Sequence, residues 1–175
     1  MLKKYLVPDD MFEHYDDVTP EFLASVGVRA LLVDIDNTLA PYEQPEPDDA
    51  HRSWLAALSA AGVRVALISN NDKERVERFN ATLGLPARWK SGKPFGRVMK
   101  RYLKEWDVDP AEAAVLGDQL LTDALAAHLL RLRAIIVPPI RDKKTAFVRF
   151  KRYLERPYIR AYRVHYPDRK ENDKV

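Results

Sequence analysis

The chain has 175 residues, 46% hydrophobic and 10% aromatic, with a formal net charge of +3 and no cysteine. That length suffices for one domain with its own core. The lack of cysteine excludes disulfides, thiolate metal sites and cysteine nucleophiles, leaves oxygen or histidine as the only metal ligands, and makes a reducing cytoplasm the expected setting.

Taken in chain order, Met1 to Asp10 carries two lysines but no apolar core of the kind a secretion signal needs. Apolar, β-rich runs then recur at Ala30 to Val33, Val63 to Ile68, Ala113 to Leu116 and Arg133 to Val137, and each predicts a strand. Helical spacing fills the intervals over Asp49 to Ala61, Asp72 to Leu83, Pro94 to Trp106 and Leu121 to Leu130. Several of these open on Asn, Asp or Pro and close near a Gly. No run approaches the roughly 20 apolar residues that cross a bilayer. Alternating strand and helix predicts an α/β fold, a doubly wound parallel sheet within residues 1–140, behind an N-terminal extension. Such sheets bind ligands just beyond the carboxyl ends of their strands.

Four strand-end clusters follow from that rule. After the first strand, Asp34 and Asp36 stand two residues apart at a turn, with Thr38 following. Two anions this close repel unless a cation or proton lies between them, so a hard divalent ion, Mg²⁺ by default, is the natural partner. After the second strand, Ser69, Asn70 and Asn71 offer neutral groups able to bond a phosphoryl oxygen; a helix cap for the following segment is the competing reading. Lys93, just before Pro94, is placed to neutralise phosphate and surplus carboxylate charge, with Lys90 and Lys100 as rivals. Pro94 is expected at the first helical position. After the third long strand, Gly117 permits close approach, Asp118 adds a carboxylate for the metal, and Asp123 is expected to hold Lys93 or a metal-bound water. The alternative for Asp123 is compensation of the helix N-terminus.

The order and spacing of these pieces resemble the haloacid dehalogenase superfamily over roughly Ala30 to Val137. Its four motifs are matched by Asp34-x-Asp36-x-Thr38, Ser69-Asn70, Lys93, and Gly117-Asp118 with Asp123. The segments Ile35 to Leu39, Ser69 to Asn71, Lys93-Pro94 and Gly117 to Asp123 look like the class IIIA, YqeG-like subfamily. The resemblance implies a Rossmann-like, Mg²⁺-dependent phosphatase in which Asp34 forms an aspartyl-phosphate and Asp36 acts as acid and base. It implies that Asp34, the backbone carbonyl of Asp36 and Asp118 hold the metal, with Asp123 beside them. Ser69 and Lys93 would grip the transferring oxygens, with Asn70 as a further contact. Thr38 is grouped with Ser69 and Asn70 as substrate-binding, and its hydroxyl is also expected to tie the turn.

In that superfamily, inserted cap domains usually select small substrates, and this chain has no room for one before Ser69 or Lys93. An open site is therefore expected, and a bulky or surface-bound phosphate ester. The YqeG-like proteins are similar to mitochondrial and plastid phosphatidylglycerophosphate phosphatases, which implies a membrane phospholipid as substrate. Residues 141–175 form a basic tail, with 12 Lys and Arg against 5 Asp and Glu. There Phe147, Phe150, Tyr153, Leu154, Tyr158, Tyr162 and Tyr166 are interleaved with cations. Such a tail suits an anionic membrane surface and a peripheral place on the inner face of the cell membrane. A solvated basic helix, aromatic packing of Phe147 and Phe150, and nucleic-acid binding are the competing readings. For the whole chain, a phosphatase of soluble nucleotide or sugar phosphates and a phosphate-storing switch are the alternatives.

Overall fold

In a computed structural model, which describes residues 3–141 and 146–165, the four apolar runs form the centre of a six-stranded, wholly parallel sheet. Its strands are β1 (Asp10–Met11), β2 (Ala30–Val33), β3 (Arg64–Ile68), β4 (Ala87–Arg88), β5 (Ala113–Gly117) and β6 (Arg133–Ile136). They lie in the order β1-β6-β5-β2-β3-β4. Side chains on a strand alternate between faces, and here both faces are apolar. Leu31, Val33, Val65, Leu67 and Leu116 enter one core, while Ala30, Leu32, Ala66, Ile68 and Val115 enter the other. A sheet buried on both sides needs helices on both sides.

The helices are α1 (Lys3–Leu6), α2 (Pro20–Ser25), α3 (Asp49–Ala60), α4 (Lys73–Asn80), α5 (Arg97–Trp106), α6 (Leu125–Leu129) and α7 (Ala146–His165), with a π-helical turn over Leu120–Ala124 leading into α6. Asp48 and Asp72 cap α3 and α4, accepting from the backbone N–H of His51 and Arg75. The cap of α4 is thus Asp72, and Ser69 to Asn71 are left for other work. Pro94 is not the first helical residue. The Lys93–Pro94 peptide is cis, Phe95 N–H bonds Gly92 C=O to close a turn, and α5 begins only at Arg97.

From β2 the chain moves outward one way to β3 and β4, then returns to the opposite side of β2 as β5 and β6. The order reverses at β2, the place where open α/β sheets form their binding crevice. Val33 is in register with both Leu67 and Leu116, so the residues that follow β2, β3 and β5 emerge side by side. Among the described residues no inserted domain lies over this edge.

The tail aromatics divide. Tyr158 and Ile159 pack on the core formed around Leu32 and Met99. Tyr162 is buried, its hydroxyl accepting from Met11 N–H at 3.0 Å. Phe150, Tyr153 and Leu154 face outward. Core packing therefore describes Tyr158 and Tyr162, while the packing reading fails for Phe150. The side chain of Phe147, and Tyr166 as a whole, lie outside the described residues.

Candidate active site

Asp34 leaves β2 with its backbone N–H still bonded to Leu116 C=O, which holds it to the sheet edge. The chain then turns back, with Asn37 at φ 65°. Backbone bonds close this turn: Leu39 and Ala40 N–H both donate to Ile35 C=O, and Asn37 N–H to Ala40 C=O. A ring nitrogen of buried His51 anchors it through Leu39 C=O at 2.7 Å. The Thr38 hydroxyl, expected to make this tie, is buried without a hydrogen-bond partner among the described residues; the backbone does the work instead.

Lys93 reaches under the strand ends from the β4–α5 loop. Its position is fixed by Asn70, whose side-chain oxygen accepts from Lys93 N–H and Ser91 Oγ and whose amide donates to Lys93 C=O, each at 3.0 Å. The Asn70 side chain is thus engaged in shaping the lysine loop. The ammonium lies 2.6 Å from Asp34 Oδ1 and 2.7 Å from Asp123 Oδ1. Burial by itself would lower the lysine pKa, but Asp123 and Asp34 outweigh it and the value stands raised, so Lys93 is a fixed cation.

Asp123 is held from its other oxygen by Gln119 N–H at 3.1 Å and Thr122 Oγ1 at 3.2 Å. It can come this close because residue 117 is glycine: a Cβ there would fall 2.3 Å from Asp123 Cγ. Carboxylate oxygens of Asp34, Asp118 and Asp123 all lie within 4.8 Å of one another, and the three residues are buried. Burial pushes the Asp34 carboxyl up to about 8; Lys93 opposes this, and the charges of Asp123 and Asp118 add to it.

Asp36 sits apart from this triad. Arg75 Nε donates to its Oδ1 at 3.0 Å, while Ser69 Oγ and Asn71 Nδ2 donate to its Oδ2 at 3.2 and 3.1 Å. Ser69, expected to bond a substrate oxygen, is here a support of Asp36. Arg75 was not among the residues the sequence singled out. Its signal was its place one turn into the helix that follows Ser69-Asn70-Asn71, on the side turned toward the strand ends.

Lys93 pairs with Asp34 and Asp123, and Arg75 with Asp36; the crowding of the Asp34, Asp118 and Asp123 carboxylates is a repulsion that a divalent ion would relieve. The donors are all oxygen, which suits Mg²⁺. The chemistry of the donor set therefore fits the ion the sequence implied.

The model of the haloacid dehalogenase-like hydrolases matches residues 9–130. The chain belongs to this family. Probable phosphatase YqeG of Bacillus subtilis (strain 168) is 32% identical over 161 residues, covering 92% of this chain and 94% of that protein. Among solved structures, a hypothetical protein from Xanthomonas campestris superposes with a TM-score of 0.53 at 20% identity over 73% of each chain. The cobalt-bound deoxy-D-mannose-octulosonate 8-phosphate phosphatase of Haemophilus influenzae gives 0.52 at 16% identity, over 78% of this chain and 90% of that one. At such identities the two structures share the fold with this hydrolase and nothing finer.

Proposed function

We propose that the chain is a Mg²⁺-dependent phosphatase that cleaves a phosphate monoester through an aspartyl-phosphate on Asp34, and that its substrate is a membrane phospholipid, phosphatidylglycerophosphate, converted to phosphatidylglycerol. The observation that carries the chemistry is the buried group of Asp34, Asp118 and Asp123 around the Lys93 ammonium at the strand switch point. Likeness to a protein named a probable phosphatase supports it.

In this reading an Asp34 oxygen attacks phosphorus as the bond to the leaving oxygen breaks, and Asp36 gives that oxygen its proton. Asp36 then takes a proton from the water that attacks the aspartyl-phosphate, which frees inorganic phosphate and restores Asp34. Lys93 balances the charge of the transferring oxygens, and the Thr38 hydroxyl is available to one of them. Mg²⁺, held by Asp34, the Asp36 backbone carbonyl and Asp118 with Asp123 beside them, would offset the surplus charge and polarise a phosphoryl oxygen. Ser69 and Asn70 act on substrate through Asp36 and Lys93 respectively.

The lipid substrate is supported by a strand edge over which no inserted domain lies among the described residues, by the similarity of YqeG-like proteins to phosphatidylglycerophosphate phosphatases, and by a basic extension over 141–175 appended to the 1–140 catalytic core. The test is phosphate release from phosphatidylglycerophosphate in mixed micelles with and without Mg²⁺, beside soluble sugar and nucleotide phosphates, with Asp34→Asn as the blank. A strong lipid preference lost in the variant is expected. Release from soluble esters alone would leave the chemistry standing and overturn the lipid assignment.

A further inference from the structure

Helix α7 carries two apolar stripes, and the core uses only one of them. Tyr158, Ile159 and Tyr162 face inward. Phe150, Tyr153, Leu154, Pro157, Ala161 and Val164 recur at the three- and four-residue steps that align side chains along a helix. At about 100° per residue this second stripe lies roughly a third of a turn from the packed one. It is open: Phe150 is 58% exposed, Tyr153 65% and Val164 77%.

The remaining side of the helix is cationic, with Arg156, Arg160 and Arg163 all exposed. Pro157, Ala161 and Val164 continue into a groove of about 610 Å³ against α1, where Val7 adds apolar surface and Lys3 and Lys4 add charge. The helix has a single acidic residue, Glu155, and it is buried, accepting from Leu121 N–H at 3.2 Å. No carboxylate of α7 therefore dilutes its outer faces. An apolar stripe flanked by cations matches one surface in particular: the interface of an anionic bilayer, where the stripe enters the acyl boundary and the arginines meet headgroups. A second copy of the chain is a poor occupant, since a two-fold contact through this face would bring arginines against arginines.

We propose that the outer face of α7, with Lys3 and Lys4 of α1, is the surface by which this protein docks on anionic membrane. The proposal deepens the lipid reading above and rests on it for the substrate. The same helix also grips the acidic loop, for Lys151 Nζ donates to Gln119 at 2.6 Å and Glu155 holds Leu121. Docking α7 thus fixes the loop that carries Asp118 and Asp123 at the membrane surface.

The test is co-sedimentation of the full chain with vesicles of phosphatidylcholine alone or with 30 mol% phosphatidylglycerol, a composition of roughly physiological charge, at low and high salt. Binding to the anionic vesicles only, weakened by salt, is expected. A variant with Arg156, Arg160 and Arg163 each changed to Gln should lose about 5-fold in partitioning per arginine. Phe150→Ala with Val164→Ser should weaken binding at both salt concentrations. Thermal melting and turnover of a soluble ester are read on every variant, because none of these residues touches the site. Equal binding to neutral vesicles, or none to anionic ones, with ester turnover intact, would overturn the docking surface and leave the phosphatase standing. A stripe variant that changes only the oligomeric state would assign the face to a second copy and overturn the proposal equally. Loss of ester turnover in the wild-type chain, with vesicle binding intact, would sink the catalytic reading instead.

Discussion

Arg75 Nε holds Asp36 at 3.0 Å while its Nη1 bonds Gln44 C=O at 2.8 Å and Pro45 C=O at 3.2 Å, so one guanidinium fixes both the proposed acid/base and the loop beside it. An acid is needed most when the leaving oxygen is a poor leaving group. Arg75→Met is therefore expected to lower turnover of an alkyl phosphate by about 10–100-fold, part of the 10²–10⁴ that a positioned acid supplies. A 4-nitrophenyl ester, whose leaving group needs no proton, should suffer far less. Equal losses on the two esters would reduce Arg75 to a structural brace. Gly117 makes a second claim at this scale. Its missing Cβ leaves room for Asp123, which is pinned from both oxygens and cannot swing away. Gly117→Ala should displace Asp123 from Lys93, costing about 1–3 kcal/mol of overpacking and roughly 3–10 °C in melting temperature, along with most of the turnover. A variant with unchanged melting and kinetics would show that the loop relaxes freely.

Among the elements, the strands that read clearly in the sequence are those buried on both faces, because a continuous apolar run leaves no other assignment. β1 and β4 are two residues each and show no period; they exist only because β6 and β3 offer them ladder partners. Asp10 is buried in β1 against Arg133, 123 positions away, a pairing that no local pattern announces. The start of α5 was misplaced for a similar reason: Lys93-Pro94 forms a turn whose geometry is set by Asn70, not by the helix that follows. The N-terminal segment is also clasped by His128, which bonds Tyr5 C=O at 2.9 Å and Asp9 at 3.0 Å. Burial disfavours the charged imidazole, but Asp9 and the Tyr5 carbonyl outweigh it and raise the His128 pKa above its ordinary 6.5. Asp9, against its own burial, is lowered by His128 and Ala134 N–H from 3.8. A raised histidine contributes stability in full below its unfolded value, and this is lost as pH rises through the folded value; a lowered carboxyl contributes above its unfolded value, and this is lost as pH falls through the folded one. The clasp should therefore be strongest between about pH 4 and 6.5. In urea titrations, the gap in midpoint between wild type and His128→Gln is expected to be widest near pH 5.5 and to shrink as pH rises through the raised His128 value. A gap independent of pH would show that the clasp works without charge.

For the molecule as a whole, the positions of Asp34, Lys93, Asp118 and Asp123 were legible because a parallel sheet delivers every strand end to one edge, so residues far apart in sequence needed only to follow apolar runs. Their supports were not legible: Asn70 around the lysine loop, Arg75 on Asp36 and α7 on the acidic loop are long-range contacts that depend on packing. The acidic edge stores like-charge repulsion, visible in the upward push on Asp34 from Asp123 and Asp118. A ligand that binds only the folded chain stabilises it by RT ln(1 + [L]/Kd), about 2.7 kcal/mol at one hundred times Kd. For a chain of this size that corresponds to a rise of roughly 5–10 °C in melting temperature. Saturating Mg²⁺ should produce this rise over EDTA, with no substrate present, and Asp118→Asn should lose most of it while keeping the fold. Na⁺ at matched ionic strength is the control, because general screening of four carboxylates would also raise stability. A rise that Na⁺ reproduces, or that survives in Asp118→Asn, would mean that the edge tolerates its charge through the protein's own groups and that no specific divalent site is built there.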